Sequence, residues 1–408
     1  MKRADCELLA PAGDLESFYA AVRYGADAVY LGGTAFGMRA SAASFSFPLL
    51  TQAVDFAHSK GVRVYLTCNI VPTSEESEQF SEFLESAVAS GIDACIMSDL
   101  GLLFQARKQF PDLELHASTQ TGIMNYQTAN ALFDLGVKRV VLARELSLNE
   151  ICQIREHTNP DLELEVFVHG SMCMSISGRC LLSQYLTHRD ANRGACSQPC
   201  RWSYHLMEER KPGQYFPIAQ DEYGSYILNA KDLCLIEHLD QLIKAGVTSL
   251  KIEGRGKSSY YVAVITNAYR MALEQFRSAP SGEPLPPWLL DEVTKVSHRH
   301  YHTGFLFGPP ENGQFYENGG YVRSYDVVGI VRDWKDGYLY CEQRNKFGVG
   351  DQLEILVPGQ LPIHYSVVEL LNDEGKPVES VPHATMKFRM PYPTKLEVGS
   401  FLRRKIDK

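Results

Sequence analysis

The 408-residue sequence predicts an α/β chain: a (β/α)8 barrel of the TIM type with a Cys-rich insertion between strands 7 and 8, followed by a small antiparallel β-barrel. Three observations predict it. Short apolar runs alternate with amphipathic stretches about every thirty residues, the signature of parallel βαβ units. Polar residues fall consistently just after each apolar run, as they do where barrel strands converge on one face. From about Tyr321 the pattern turns all-β, with glycine- or proline-containing turns.

Eight strands are predicted, at Cys6–Gly13, Asp27–Gly33, Arg63–Ile70, Asp93–Asp99, Glu114–Gln120, Arg139–Glu145, Leu164–Gly170 and Ser249–Arg255. The intervening helices, such as LESFYAAVRYG and FPLLTQAVDFAHSKG, each end at a glycine able to take the left-handed stop. No Gly-x-Gly-x-x-Gly follows the first strand, which argues against an open doubly wound sheet. The barrel domain is assigned to residues 1–278, with the Cys-rich insertion at 170–228 and a hairpin near Tyr204–Leu228. Residues 279–320 read as a linker with a short helix and hairpin, because SAPSGEPLPPW cannot continue a helix. Residues 321–408 form the small β-barrel domain. His298, His300 and His302 alternate as one face of a strand would, a pattern also open to a metal.

The strand ends collect a polar mouth: Arg39, Asn69, Ser98 with Asp99, Ser118 with Gln120, Arg144 with Glu145, His169, and Glu253 with Arg255. Arg39, Arg144 and Arg255 suit an anionic small molecule, since guanidinium groups pair bidentately with carboxylates and phosphates. His169 and Glu253 are the candidates for moving protons there, and Asn69, Gln120 and the three arginines for binding.

Over this mouth the topology places the segment His169–Trp202, with Cys173, Cys180, Cys196 and Cys200 separated by six, fifteen and three residues. Gly170, Gly178, Gly194 and Pro199 interrupt it, so ordinary core packing does not explain four buried thiols. Two metal readings stand: a structural zinc knot, and an iron–sulfur cluster, whose larger body tolerates the irregular spacing. Arg179, Arg189, Arg193 and Arg201 against the single acid Asp190 suit an anionic cluster and anionic substrates.

Net charge is −9, which argues against coating nucleic acid nonspecifically. The charge is uneven: residues 323–408 hold 13 basic and 12 acidic residues, net +1, leaving −10 on the other 322. Arg344 and Lys346 with Phe347, and Arg403, Arg404 and Lys405, could touch an RNA backbone. The start resembles no signal peptide and no window approaches eighteen apolar residues, so a cytoplasmic protein without membrane contact is expected. Ten cysteines in such a chain point to reduced thiols, some ligating metal. Neither His-Glu-x-x-His nor Gly-x-Ser-x-Gly is present, although Cys173 near His169 could imitate a thiol protease.

ELLAPAG (7–13), YGADAVYLGG (24–33), ASTQ (117–120), VVLARELSLNEI (140–151), FVHGSMCMSISGRCLLSQY (167–185) with RGACSQPCRW (193–202), and SLKIEGR (249–255) together resemble the collagenase-like peptidase family of unassigned mechanism, peptidase family U32. The resemblance spans nearly the whole chain. It implies oxygen-independent hydroxylation: of the wobble uridine in the anticodon region of tRNA to 5-hydroxyuridine, with prephenate as implied hydroxyl donor, or of ribosomal RNA cytidine or the ubiquinone ring in other members. It also implies a 4Fe–4S cluster on Cys173, Cys180, Cys196 and Cys200. A second subunit or a homo-oligomer remains compatible with the sequence.

Overall fold

A computed structural model describes residues 6–38, 45–172, 180–191, 194–202, 206–207, 215–216, 231–278, 283–308 and 321–406. The first barrel strands are β1 (Glu7–Pro11), β2 (Ala28–Gly32), β3 (Arg63–Cys68), β4 (Ala94–Met97), β5 (Glu114–Ala117), β6 (Arg139–Val141) and β7 (Glu163–Gly170). Strands β8 (Leu206–Met207), β9 (Tyr215–Phe216) and β10 (Asp232–Cys234) then intervene before the eighth barrel strand, β11 (Ser249–Ile252). Each barrel strand pairs in parallel with the next, and β11 pairs with both β7 and β1, closing the barrel. Several strands stop short of their predicted ends because the last residues cap the following element: Asp99 accepts from Leu102 N and Ser118 from Gln120 N. The glycines predicted to stop helices do so, Gly25 at φ 99° and Gly61 at φ 72°.

The insertion leaves the barrel after Gly170 and returns through β10, which lies antiparallel on the end of β7 with Leu233 opposite Gly170 and Cys234 opposite His169. Exit and return are therefore both at the C-terminal end of β7. Within the insertion, β8 and β9 pair antiparallel, inside the predicted hairpin. Beyond the barrel, β12 (Tyr301–His302) joins β10, and His298 is buried and stacked on Tyr301 with ring centroids 4.4 Å apart.

Apolar side chains fill the layer between strands and helices, but the N-terminal end of the barrel interior is ionic, which the apolar reading of the strands missed. Arg139, 1 % exposed, donates to Glu7 (2.5 Å), Glu163 (2.7 Å) and Glu165 (3.1 Å). Lys251 Nζ reaches Glu165 at 2.8 Å and Tyr65 donates to Glu7 at 2.6 Å.

The C-terminal unit is a curled antiparallel sheet in the order 363–366, 352–356, 401–405, 325–335, 338–343, 387–391, 371–372. Its curl carries Tyr365 of one edge strand far enough round to donate to Pro391 O at 2.6 Å. Ile330, Leu356 and Phe401 merge into the barrel's core, and Tyr24 donates to Leu356 O at 3.0 Å. Two of the basic residues read as RNA contacts, Arg344 and Arg403, are turned to this docking, and Arg404 is paired within the C-terminal unit. Arg403 is fully buried on Glu292 (2.5 Å) and Glu354 (2.6 Å), Arg344 pairs with Glu16 (2.8 Å) and Glu342, and Arg404 pairs with Asp351 (2.6 Å). Carboxylates from neighbouring elements meet them, a pairing no local pattern reveals.

Candidate active site at the barrel mouth

His169 ends β7 beneath the rim rather than on it: it is 1 % exposed and caged by Tyr261, Tyr269 and Tyr301 at ring distances of 6.0, 5.4 and 5.1 Å. Burial, and then the nearby His298 and Lys257, push its pKa down to about 3, so the ring is neutral at physiological pH. The hydrogen bonds select a tautomer. Tyr269 spends its one proton on Val168 O at 2.7 Å, so His169 Nδ1 carries hydrogen and donates to Tyr269 at 3.2 Å. Nε2 is left as the acceptor, 3.3 Å from the Tyr301 hydroxyl, which also has Val293 O within 2.8 Å. Tyr301 thus has two acceptors for one proton.

Glu253 follows β11 at the mouth. Its backbone is fixed from two sides: Glu253 N donates to His169 O at 2.9 Å, and Tyr261 donates to Glu253 O at 3.0 Å. Arg144 reaches it from the end of β6, with Nη2 3.5 Å from Glu253 Oε2 and Nη1 donating to Ser171 O at 2.7 Å. The Arg144 guanidinium lies 3.8 Å from the Phe167 ring centroid, a stacking geometry that lysine cannot reproduce. Its Nε is buried and without a partner among the described residues.

Arg255 crosses the mouth, donating to Thr67 Oγ1 at 2.6 Å and to Met38 O, so it ties β3 and the loop after β2 to the end of β11. Arg39, next along that loop, lies outside the described residues, as does Cys173. Gly32 leaves room for the guanidinium, a Cβ there standing 2.7 Å from Arg255 Nη1, and Gly13 lets the backbone approach, a Cβ there standing 1.9 Å from Arg255 O. Gly13→Ala is therefore expected to displace the 253–255 segment at a cost of about 1–3 kcal/mol, measured as a lower denaturation midpoint together with reduced activity.

On the opposite side, Ser98 donates to Gln120 Oε1 at 2.8 Å and is 3.2 Å from Asn69 O, while Asn69 Oδ1 accepts from Met38 N at 3.1 Å. Gln120 is 8 % exposed and its Nε2 is buried with no partner among the described residues. A buried N–H without an acceptor costs about 1–3 kcal/mol, a deficit that a ligand oxygen would remove. Ser98, Asn69 and Gln120 are thus brought together; Arg144 and Glu253 form a second group, with His169 behind them.

The described cysteines of the insertion stand outside the core: Cys180 and Cys200 are half-buried and Cys196 is exposed. Ser197 N donates to Ser183 Oγ at 3.0 Å, and Ser197 Oγ is 2.9 Å from Thr187 Oγ1, which clasps the stretch after Cys180 against the Cys196–Cys200 stretch. Gln198 N donates to Cys196 Sγ at 3.3 Å, the kind of N–H···S contact that supports metal-bound sulfur. Among the described residues, no three His, Cys, Asp or Glu side chains gather closely enough to hold a metal. By contrast Cys6, Cys68, Cys95 and Cys341 are buried, and the Cys68 thiol is pushed up first by its hydrogen bond with Cys95 and then by burial.

The sequence reading missed Tyr261, Tyr269 and Tyr301. A signal existed in Tyr261 and Tyr269, two turns apart on the apolar stripe of the last barrel helix, Ser259–Ser278. No helix among the described residues is long and apolar enough to cross a membrane.

Comparison with known proteins adds to this geometry. The profile described as peptidase family U32 matches residues 13–315, and that described as the peptidase family U32 C-terminal domain matches residues 323–403. tRNA hydroxylation protein P of Escherichia coli is 36 % identical over 435 residues, covering 96 % of this chain and 95 % of that protein. 23S rRNA 5-hydroxycytidine C2501 synthase of Escherichia coli is 40 % identical over 268 residues, 66 % of this chain and 39 % of that protein. A collagenase of Porphyromonas gingivalis is 31 % identical over 408 residues, 97 % of this chain and 96 % of that protein.

Proposed function

The chain belongs to peptidase family U32, and on that premise we propose that it is an RNA-modifying enzyme that hydroxylates the wobble uridine of tRNA to 5-hydroxyuridine. The near full-length likeness to tRNA hydroxylation protein P carries this reading. That likeness takes in the C-terminal sheet, whereas the ribosomal RNA relative matches only 66 % of the chain.

Prephenate is the proposed hydroxyl source. Exchanging the hydrogen on uridine C5 for the hydroxyl of a donor is redox-neutral overall, so no dioxygen is required. Arg144 supports this choice as a stacked guanidinium beside the mouth, and Gln120 Nε2 offers a buried donor for a carboxylate or carbonyl oxygen. Arg39 would complete the anion site. Arg255 and Asn69 would act by holding the 33–38 loop over the bound substrate. Glu253, paired with Arg144, is the proposed proton acceptor at the mouth, and His169, whose Nε2 faces the Tyr301 hydroxyl, is the second group proposed to move a proton.

A 4Fe–4S cluster on Cys173, Cys180, Cys196 and Cys200 is the proposed cofactor, with zinc as the colourless alternative. The donor chemistry supports it, with three of the four sulfurs outside the core on a segment that starts and returns at the mouth. When bound, the cluster would supply one-electron chemistry.

A peptidase reading has the collagenase relative in its favour. Against it, both ring nitrogens of His169 face tyrosine hydroxyls, so this histidine is not turned to activate a thiol nucleophile.

The test is nucleoside mass spectrometry of tRNA from a deletion strain lacking paralogues. 5-Hydroxyuridine and its derivatives are expected to vanish, to return with the wild-type chain, and to stay low with Glu253→Gln. Unchanged levels in the deletion strain would remove the assignment.

A further inference from the structure

Beside the mouth, a cleft of about 330 Å³ opens between the 256–261 segment, residues 296–297 and the C-terminal sheet. Its volume suits a small ligand or one unit of a larger one. Lys257, Tyr261, Tyr321, Arg323 and Tyr325 line it, with no carboxylate in the lining among the described residues, although Arg323 is ion-paired with Asp326 and Tyr325 donates to Glu354 Oε1 at 3.1 Å. Lys257 Nζ lies 4.8 Å from the Tyr321 ring centroid and 5.3 Å from that of Tyr261. Rings hold an ammonium in place without cancelling its charge, so it remains available to an anion. Arg299 also lies over Tyr321, at 5.2 Å. Tyr261 connects the cleft with the mouth, since the ring that forms its wall carries the hydroxyl bonded to Glu253 O.

We propose that this cleft seats a nucleotide flanking the one at the mouth, its phosphate on Lys257 and its base among the tyrosine rings. The Lys257 ammonium set among aromatic faces matches the demands of single-stranded RNA, whose bases stack and whose backbone needs positive charge. The inference rests on the RNA reading above and assigns a binding role to the junction of the two domains.

Binding of unfractionated tRNA from the deletion strain, measured over a series of salt concentrations, tests it with wild type, Lys257→Ala and Lys257→Arg. Lys257→Ala is expected to weaken binding roughly threefold to tenfold and to flatten the slope of log affinity against log salt by about 0.7–0.9. Lys257→Arg should restore both. An unchanged slope in Lys257→Ala, or a loss that arginine does not restore, overturns the cleft assignment while the RNA reading stands. Failure of the wild-type chain to bind tRNA at all would bring down both.

Discussion

Alanine at Cys196 or Cys200 is expected to abolish tRNA hydroxylation, by a factor of about a hundred or more, while leaving the chain folded. The two consequences separate because of where these sulfurs lie. Cys196 is exposed and Cys200 half-buried, so losing either thiol removes little buried apolar surface, on the order of 1 kcal/mol or less. Cys68→Ala supplies the contrast: that thiol is buried in the core beside Cys95, and its loss should lower the denaturation midpoint without touching the proposed cofactor. An anaerobic preparation of wild type is expected to be brown, with iron and acid-labile sulfide. Both should fall together with activity in the Cys196 and Cys200 variants and persist in Cys68→Ala. A colourless, iron-free wild type that remains fully active would remove the cluster from the proposal.

The barrel was legible because its strands and helices carry local signals: apolar runs at strand length, polar residues just after them, and glycines at helix stops. Among the described residues Asn69, Ser98, Gln120, Arg144, Glu253 and Arg255 do follow barrel strands, and position just past a strand was legible for the same reason. What each mouth residue does there was not. Arg255 and Arg144 read alike as rim cations, yet one locks a loop through Thr67 and Met38 while the other stacks on Phe167 beside Glu253. His169 read as a rim histidine and is sealed by tyrosines that come from 92 to 132 residues downstream, Tyr261 and Tyr301 marking the two ends. Burial and ion pairing at this range depend on closure of the barrel, which no window of sequence contains.

Closure also makes the ionic core the place where one substitution should cost most in stability. Arg139→Met is expected to destabilise the chain by about 3–5 kcal/mol near neutral pH, because Glu7, Glu163 and Glu165 would keep their burial and lose their shared cation. The pH dependence identifies the cause. Burial alone would raise Glu165; Lys251 and then Arg139 outweigh it and bring its pKa down to about 2, and Glu7 is likewise lowered by Arg139 against its own burial. These wild-type groups, with folded pKa values below the unfolded value of about 4.3, contribute stability that is fully present above that value and is lost as the pH falls towards 2. Without Arg139, burial dominates and at least one carboxyl shifts above its unfolded value. Such a group binds its proton more readily folded than unfolded, so the variant gains stability as the pH falls from 7 towards 5, where these wild-type groups contribute no slope. Chemical denaturation midpoints of both chains at pH 7.5 and pH 5 check this. A stability gap that narrows at the lower pH supports the ionic account, whereas a gap of equal size at both would attribute the loss to packing around the missing guanidinium.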